Sequence, residues 1–433
     1  MRLAALALLA TACYTPKIAE CTIRCGADNS CPAETSCLVD HFCHADLGSS
    51  CAKLPDGGFG AVDARTGDGP IFAPDARPPD ARRSPPDAGP PDGPPCQDLV
   101  TTLDADGEML LSNLSIDGDD VVHITYLDAT SHDLLYLRGT AGGFAPREHV
   151  IEAGPYLKGQ TVDATGAVHV AFSVGTFPDI RLRYAHRTPG SDGQWSDETI
   201  SEQDSPIDAS IVVDDSGAPQ VAYYAQEIGQ LWHARRADRW LLDTIDDGGA
   251  NDVGEHPSLA LGPGGGMFVT YRNVTAGQLK VATATASGWS VRLLDGTSAD
   301  VGAYSALAID AGGTLHVAYA DLTRGVLKYL ETVPGGTIAR KVIDDTDAVG
   351  RFNAIALDAH GGVHISSDAY GQDDLHYVHR APGASAFTVV DVDQVGSVGR
   401  HTGIGVDSSG SAHISYIDDT NHALKYAVIC PGH

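Results

Sequence analysis

A four-residue turn recurs at a near-constant interval through most of this 433-residue chain, and that period constrains the fold more than any other feature. The copies are Asp117-Gly118-Asp119-Asp120, Asp163-Ala164-Thr165-Gly166, Asp214-Asp215-Ser216-Gly217, Gly262-Pro263-Gly264-Gly265, Asp310-Ala311-Gly312-Gly313, Asp358-Ala359-His360-Gly361 and Asp407-Ser408-Ser409-Gly410. Their first residues lie 46, 51, 48, 48, 48 and 49 positions apart. Six residues after each start stands His123, His169, Gln220, Phe268, His316, His364 or His413, and three further on Tyr126, Phe172, Tyr223, Tyr271, Tyr319, Ser367 or Tyr416. The fifth copy reads as a strand (Ala306 to Ile309), the turn, a second strand (Leu315 to Ala320), a polar loop and a third strand (Val326 to Leu330), with a looser fourth at Ala339 to Ile343. That is an antiparallel meander, and no segment carries sustained helical periodicity. One such unit cannot cover its own apolar faces, so neighbours must pack on it. A period near 48 with four strands per unit predicts an all-β fold, a seven-bladed β-propeller of four-stranded antiparallel blades.

The ends of the array bear on ring closure. The seventh copy stops at its third strand, Leu424 to Ile429, and its fourth is missing. Asp98 to Asp104, just before the first copy, reads like fourth strands elsewhere, such as Trp240 to Asp246. The N-terminal strand is therefore expected to complete the last blade and close the ring, with Cys96 and Cys430 joined by a disulfide at the seam.

Before the array come three different kinds of chain. Leu3 to Ala10 is an apolar run too short to span a bilayer, which takes about 20 residues, and fits an export signal over 1-12. Ala10-Thr11-Ala12-Cys13 resembles the lipobox of bacterial lipoproteins. That resemblance implies cleavage before Cys13, lipidation of Cys13 at the head of 13-20, and, with Tyr14 following, an outer-membrane or cell-surface location; without the lipid the protein would be secreted. Residues 21-54 hold Cys21, Cys25, Cys31, Cys37, Cys43 and Cys51, read as three disulfides of open pairing in an oxidising compartment. Residues 55-95 repeat Pro-Asp-Ala and cannot bury a core; extended at about 3.1 Å per residue, they make a disordered stalk on the order of 100 Å long. The propeller occupies 96-433.

The formal charge of −29 excludes nucleic acid as a partner, because affinity for phosphate chains needs cation clusters that are absent here. The repeat core, IAxDxxGxxHVxYxD followed by LKY, resembles the NHL and BNR-type propeller repeats of exported bacterial proteins. This resemblance covers about 335 residues and implies a fold rather than an activity. The recurring Asp is read as tying its own turn, and the recurring His as a structural residue bonded to a neighbouring blade. Sites are sought where the copies differ. Four repeats open on Val-Gly and then vary: Val253-Gly254-Glu255-His256, Val301-Gly302-Ala303-Tyr304, Val349-Gly350-Arg351-Phe352 and Val398-Gly399-Arg400-His401. A ring occupies one slot and, in three of them, a charge the slot before it. With Arg272 and Tyr370 from nearby loops, Glu255, His256, Tyr304, Arg351, Phe352, Arg400 and His401 form the candidate ligand site. Asp128, Arg324, Asp321, Asp368, Asp418 and Asp419 lie on the same loops. No metal site and no cofactor is assigned, calcium in the Asp-rich loops being the one left open. The expected function is a monomeric, lipid-anchored binding module for a glycan or an envelope or extracellular protein, the alternatives being a glycosidase- or lactonase-like hydrolase and an envelope assembly scaffold. No catalytic residues are assigned.

Overall fold

The computed structural model describes residues 96–431 apart from 153–155, 347 and the side chains of 152–158, together with four short strands nearer the N-terminus. Export signal, Cys13, side chains of the six clustered cysteines and most of the proline-rich stretch lie outside the described residues. The chain divides into two compact units, Met1–Gly89 and Pro90–His433. In the first, Ser36–Cys37 pairs with Cys43–His44, and Ser49–Lys53 with Phe59–Asp63, both antiparallel. The second pair thus runs into the stretch read as stalk.

In the second unit seven antiparallel sheets follow the repeat, each built around a meander of four strands. Blade 5 runs Val301–Ile309, Leu315–Asp321, Val326–Thr332 and Ala339–Asp344 from the axis outward. The innermost strands of blades 1 to 7 are Met109–Ile116, Tyr156–Val162, Pro206–Val213, Val253–Leu261, Val301–Ile309, Arg351–Leu357 and Val398–Val406, and each packs on the next until the seventh meets the first. Second strands such as Leu315–Asp321 and Ala412–Asp418 are buried along their whole length, sandwiched between neighbouring blades, whereas the outermost Ala339–Asp344 is mostly exposed. Seven apolar clusters fill the seven interfaces between blades; one joins Met109, Tyr126 and Leu137 of blade 1 to Leu424, Tyr426 and Val428 of blade 7.

Blade 7 takes its outermost strand from the N-terminal side: Leu99–Asp104 pairs with Ala423–Ile429, Leu424 facing Asp104 and Val428 facing Leu99. Cys96 and Cys430 are disulfide-bonded, with Cα atoms 5.7 Å apart.

Two polar networks recur inside the blades. In the first, the turn Asp accepts two backbone N–H groups on one oxygen and faces the recurring His with the other. Asp310 Oδ1 takes Gly312 N (2.9 Å) and Thr314 N (2.8 Å), Oδ2 lies 3.4 Å from His316 Nε2, and His316 Nδ1 meets Tyr329 Oη at 2.5 Å. Blades 1, 2, 6 and 7 repeat the arrangement. Only the Nε2–H tautomer serves both neighbours, donating to the carboxylate and accepting from the phenol. In the second, the recurring Tyr donates to an Asp ending the preceding outermost strand, where a cation joins it: Tyr319 Oη and Lys328 Nζ reach Asp295 Oδ2 at 2.7 and 2.5 Å. Burial works against the Asp295 charge, but Lys328 and Tyr319 hold its carboxyl down at about 2. Blade 6 departs from this: Ser367 replaces the Tyr, and His376 replaces the Lys on Asp344, at 2.8 Å.

Candidate functional site

Each Val-Gly opening carries the chain from one blade to the next across the third strand of the blade just completed. At Gly302, with φ of 94°, a Cβ would stand 2.8 Å from Leu279 Cα; at Gly399, with φ of 97°, it would stand 2.7 Å from Asp374 O. Only glycine fits so close a crossing in a left-handed conformation. The strand then bulges, shifting its register twice before regular pairing resumes, as between Val301 and Ala303 and between Ala303 and Ala306.

The bulge places one residue with φ near 50° in five consecutive blades: Asp208, His256, Tyr304, Phe352 and His401. Left-handed backbone costs a non-glycine residue on the order of 1 kcal/mol. Here the next blade compensates by taking up the carbonyl. Ser305 Oγ donates to His256 O (3.0 Å), Asn353 Nδ2 to Tyr304 O (3.1 Å), Thr402 Oγ1 to Phe352 O (2.8 Å) and Ser112 Oγ to His401 O (2.7 Å). All five bulge residues line the central channel, a cavity of about 280 Å³ to which all seven innermost strands contribute. Four of them form a belt of rings, with centroids 4.2 Å apart for His256–Tyr304, 4.8 Å for Tyr304–Phe352 and 4.0 Å for Phe352–His401. Asp208 ends the belt, its Oδ2 accepting from His256 N at 3.3 Å. Two lining amides have a buried atom without a hydrogen-bond partner, Asn113 Nδ2 and Asn353 Oδ1.

The other five sequence candidates sit beside the belt on neighbouring positions, and none is among the described residues lining the cavity. Arg272 is held bidentate by Asp300 at 2.8 and 2.9 Å and also bonds Glu255. The Arg351 guanidinium lies 3.7 Å from the centroid of the Tyr370 ring. Arg400 pairs with Asp419 at 2.7 Å. Successive strand residues face opposite sides, so the slot that feeds the channel and the charged slot before it diverge. Three of the loop aspartates do other work. Asp128 accepts Glu108 N and Thr130 N, Asp321 accepts Arg324 N, and Asp418 accepts Asn421 N, which closes loops between second and third strands.

Asp368 is different. Tyr224 and Arg272 occupy the equivalent position in blades 3 and 4 and reach Asp252 and Asp300 in the connection to the next blade. Asp368 is 2% exposed, and its Oδ2 has no hydrogen-bond partner. Burial pushes its carboxyl up to about 7, with Arg400 and Arg351 pulling the other way. It therefore keeps its proton well above the usual carboxylate range and loses it near neutrality.

Sequence reasoning found the rings but missed Asp208, because blade 3 lacks the Val-Gly opening that flags the slot in blades 4 to 7; counting back from the Asp214 turn finds it. Among the described residues no group of three or more His, Cys, Asp or Glu side chains is arranged to hold a metal ion.

No protein-family model matches this sequence, and no curated protein is significantly similar to it. Solved structures are similar in fold. A triple arginine-to-alanine mutant of AofleA from Arthrobotrys oligospora superposes with a TM-score of 0.50 at 12% identity, over 69% of this chain and 90% of that one. The α-L-arabinanase of Penicillium chrysogenum, solved with arabinobiose, gives 0.47 at 11% identity, over 77% and 99%. A mutant of the NanB sialidase of Streptococcus pneumoniae gives 0.44 at 10% identity, over 77% and 70%. At these identities the likeness is one of fold.

Proposed function

We propose that this protein is a cell-envelope binding module, anchored by a lipid on Cys13, which presents its propeller on a proline-rich stalk and takes a glycan at the channel. The observation that carries this reading is the belt: four consecutive blades accept the cost of a left-handed residue to set His256, Tyr304, Phe352 and His401 around one cavity. Aromatic faces are apolar platforms with a negative π surface, suited to the C–H faces of sugar rings, and small-ligand pockets combine such faces with a few placed polar groups. Asp208, Asn113 and Asn353 supply those groups here.

The test is a glycan array probed with the full-length protein. A defined set of glycans should bind, and the double variant Tyr304→Ala with Phe352→Ala should lose it while keeping the strand signature in circular dichroism. An array without signal for the wild type would end this reading. Fatty-acid labelling that disappears in Cys13→Ser tests the anchor.

One observation favours a hydrolase instead. A carboxyl whose proton is held to about neutrality, as at Asp368, meets the protonation requirement of a general acid, although Asp368 is buried and is not among the described residues lining the channel. Turnover on a glycosidase or lactonase panel, with activity falling above about pH 7 and lost in Asp368→Asn, would support it.

A further inference from the structure

The channel discriminates by charge as well as shape. Its acceptors include the Asp208 carboxylate and Asn353 Oδ1, which lacks a hydrogen-bond partner, beside the π systems of Tyr304 and Phe352 with their negative quadrupole. Among the described lining residues there is no lysine or arginine, and Asn113 Nδ2 is a donor without a hydrogen-bond partner. Asp208 stands at one end of the belt: its Oδ2 accepts from the backbone N of His256 and lies 4.0 Å from Nε2 of the His256 ring, which packs on Tyr304, so that a carboxylate and a ring surface are continuous in one wall. An ammonium group offers three donors and no acceptor, and it is attracted both to a carboxylate and to an aromatic face. The formal charge of −29 adds a long-range field that draws cations to the molecule and repels anions.

Resting on the glycan reading, we propose that the channel selects a sugar bearing a free amine, stacked on Tyr304 and Phe352 with its ammonium directed to Asp208. The volume of about 280 Å³ is at the small end for ligand pockets, which suits one end of a short amino sugar better than a polymer threaded through. A neutral or N-acetylated sugar would meet the same rings but bring no ammonium to Asp208. A sugar carrying a carboxylate or sulfate would set like charges together.

Calorimetric titration of the full-length protein at physiological ionic strength tests this with two ligands of one backbone, N,N′-diacetylchitobiose and its fully deacetylated form. The deacetylated disaccharide should bind at least tenfold tighter. Asp208→Asn should abolish that preference, Asp208→Glu should restore most of it, and Tyr304→Ala should weaken both ligands. Glu227→Gln, an exposed charge on a loop of blade 3, should leave the preference intact, which separates the site from the diffuse field. Equal or tighter binding of the acetylated form would overturn the amine inference and leave the glycan reading standing. A preference that survives Asp208→Asn, with the variant folded by circular dichroism, would also overturn it. Binding of neither disaccharide would end the inference, and the glycan array would then decide the wider reading by itself.

Discussion

Five blades hide an imidazole between a turn carboxylate and a phenol, and in four of them burial disfavours its charged form. Burial pushes His123, His169, His316 and His364 below the ordinary histidine value, outweighing the pull of Asp117, Asp163, Asp310 and Asp358. In the unfolded chain these residues take up protons below about pH 6.5, while in the folded one they resist until lower pH. The unfolded state then binds more protons, so the stability these groups contribute is full above about 6.5 and is lost as pH falls through their folded values. Denaturant midpoints measured between pH 8 and 5 should fall on the acid side. Blade 3 shows the remedy, since Gln220 Nε2 donates to Asp214 at 2.7 Å and its Oε1 lies 3.0 Å from His233 Nε2. Gln in place of His123, His169, His316 and His364 together should flatten the decline, whereas His316→Ala, which takes one partner each from Tyr329 and Asp310, should cost about 1–3 kcal/mol at pH 8. Asp368 has the opposite sign. Its raised value means the folded state keeps a proton that the unfolded state has lost, so its penalty grows from about pH 4 to 7 and stays constant above. Asp368→Asn should therefore stabilise by on the order of 4 kcal/mol at pH 8 and hardly at all at pH 4. The turn-tying role of the recurrent Asp was legible in the spacing, whereas the recurrent His, expected to bond a neighbouring blade, finds both partners in its own. The state of Asp368 was not legible, because its sequence neighbours say nothing about the missing partner across the blade interface.

At the scale of the element, the innermost strand is where regular pairing gives way. Val-Gly was visible as a recurring pair, but its cause lies in the third strand of the preceding blade, some twenty residues upstream at Leu231, Leu279 and Leu327 and, for Gly399, at Asp374 and Leu375. Gly302→Ala meets both a φ of 94° and a backbone atom at 2.8 Å, and should cost 2 kcal/mol or more, about what strain and overpacking together give. Gly217→Ala, at a φ of 80° with open space around the Cβ, should cost only about 1 kcal/mol. Urea titrations of the two variants would show the gap, and equal midpoints would contradict the crossing as the reason for glycine. Blade 4 is an element-level exception of another kind. Phe268 stands where the others place His or Gln, and Val281 where five place Tyr, so an apolar pair replaces a polar relay without altering the pairing of Met267–Asn273 with Gln278–Thr285.

For the whole molecule, the composite blade joins the two ends of one propeller. Leu99–Asp104 supplies the edge that Ala423–Ile429 lacks, and Tyr126 of blade 1 donates to Asp104 at 2.6 Å, so the same strand completes blade 7 and ties it to blade 1. The Cys96–Cys430 bond closes a loop of 334 residues and stabilises by about 5 kcal/mol in a chain-entropy account. Cys96→Ser with Cys430→Ser should lower the denaturation midpoint by several degrees while the folded spectrum persists; an unchanged midpoint would mean that pairing alone holds the seam. The repeat, its strand number and the identity of the closing strand were fixed by local patterning, because turn chemistry and a period of two along each strand are written in adjacent residues. Tertiary structure alone decided which side chains share the channel. Asp208, His256, Tyr304, Phe352 and His401 are about fifty residues apart, and they meet because a ring brings one position from each successive wedge to the same axis, where a bulge turns it inward.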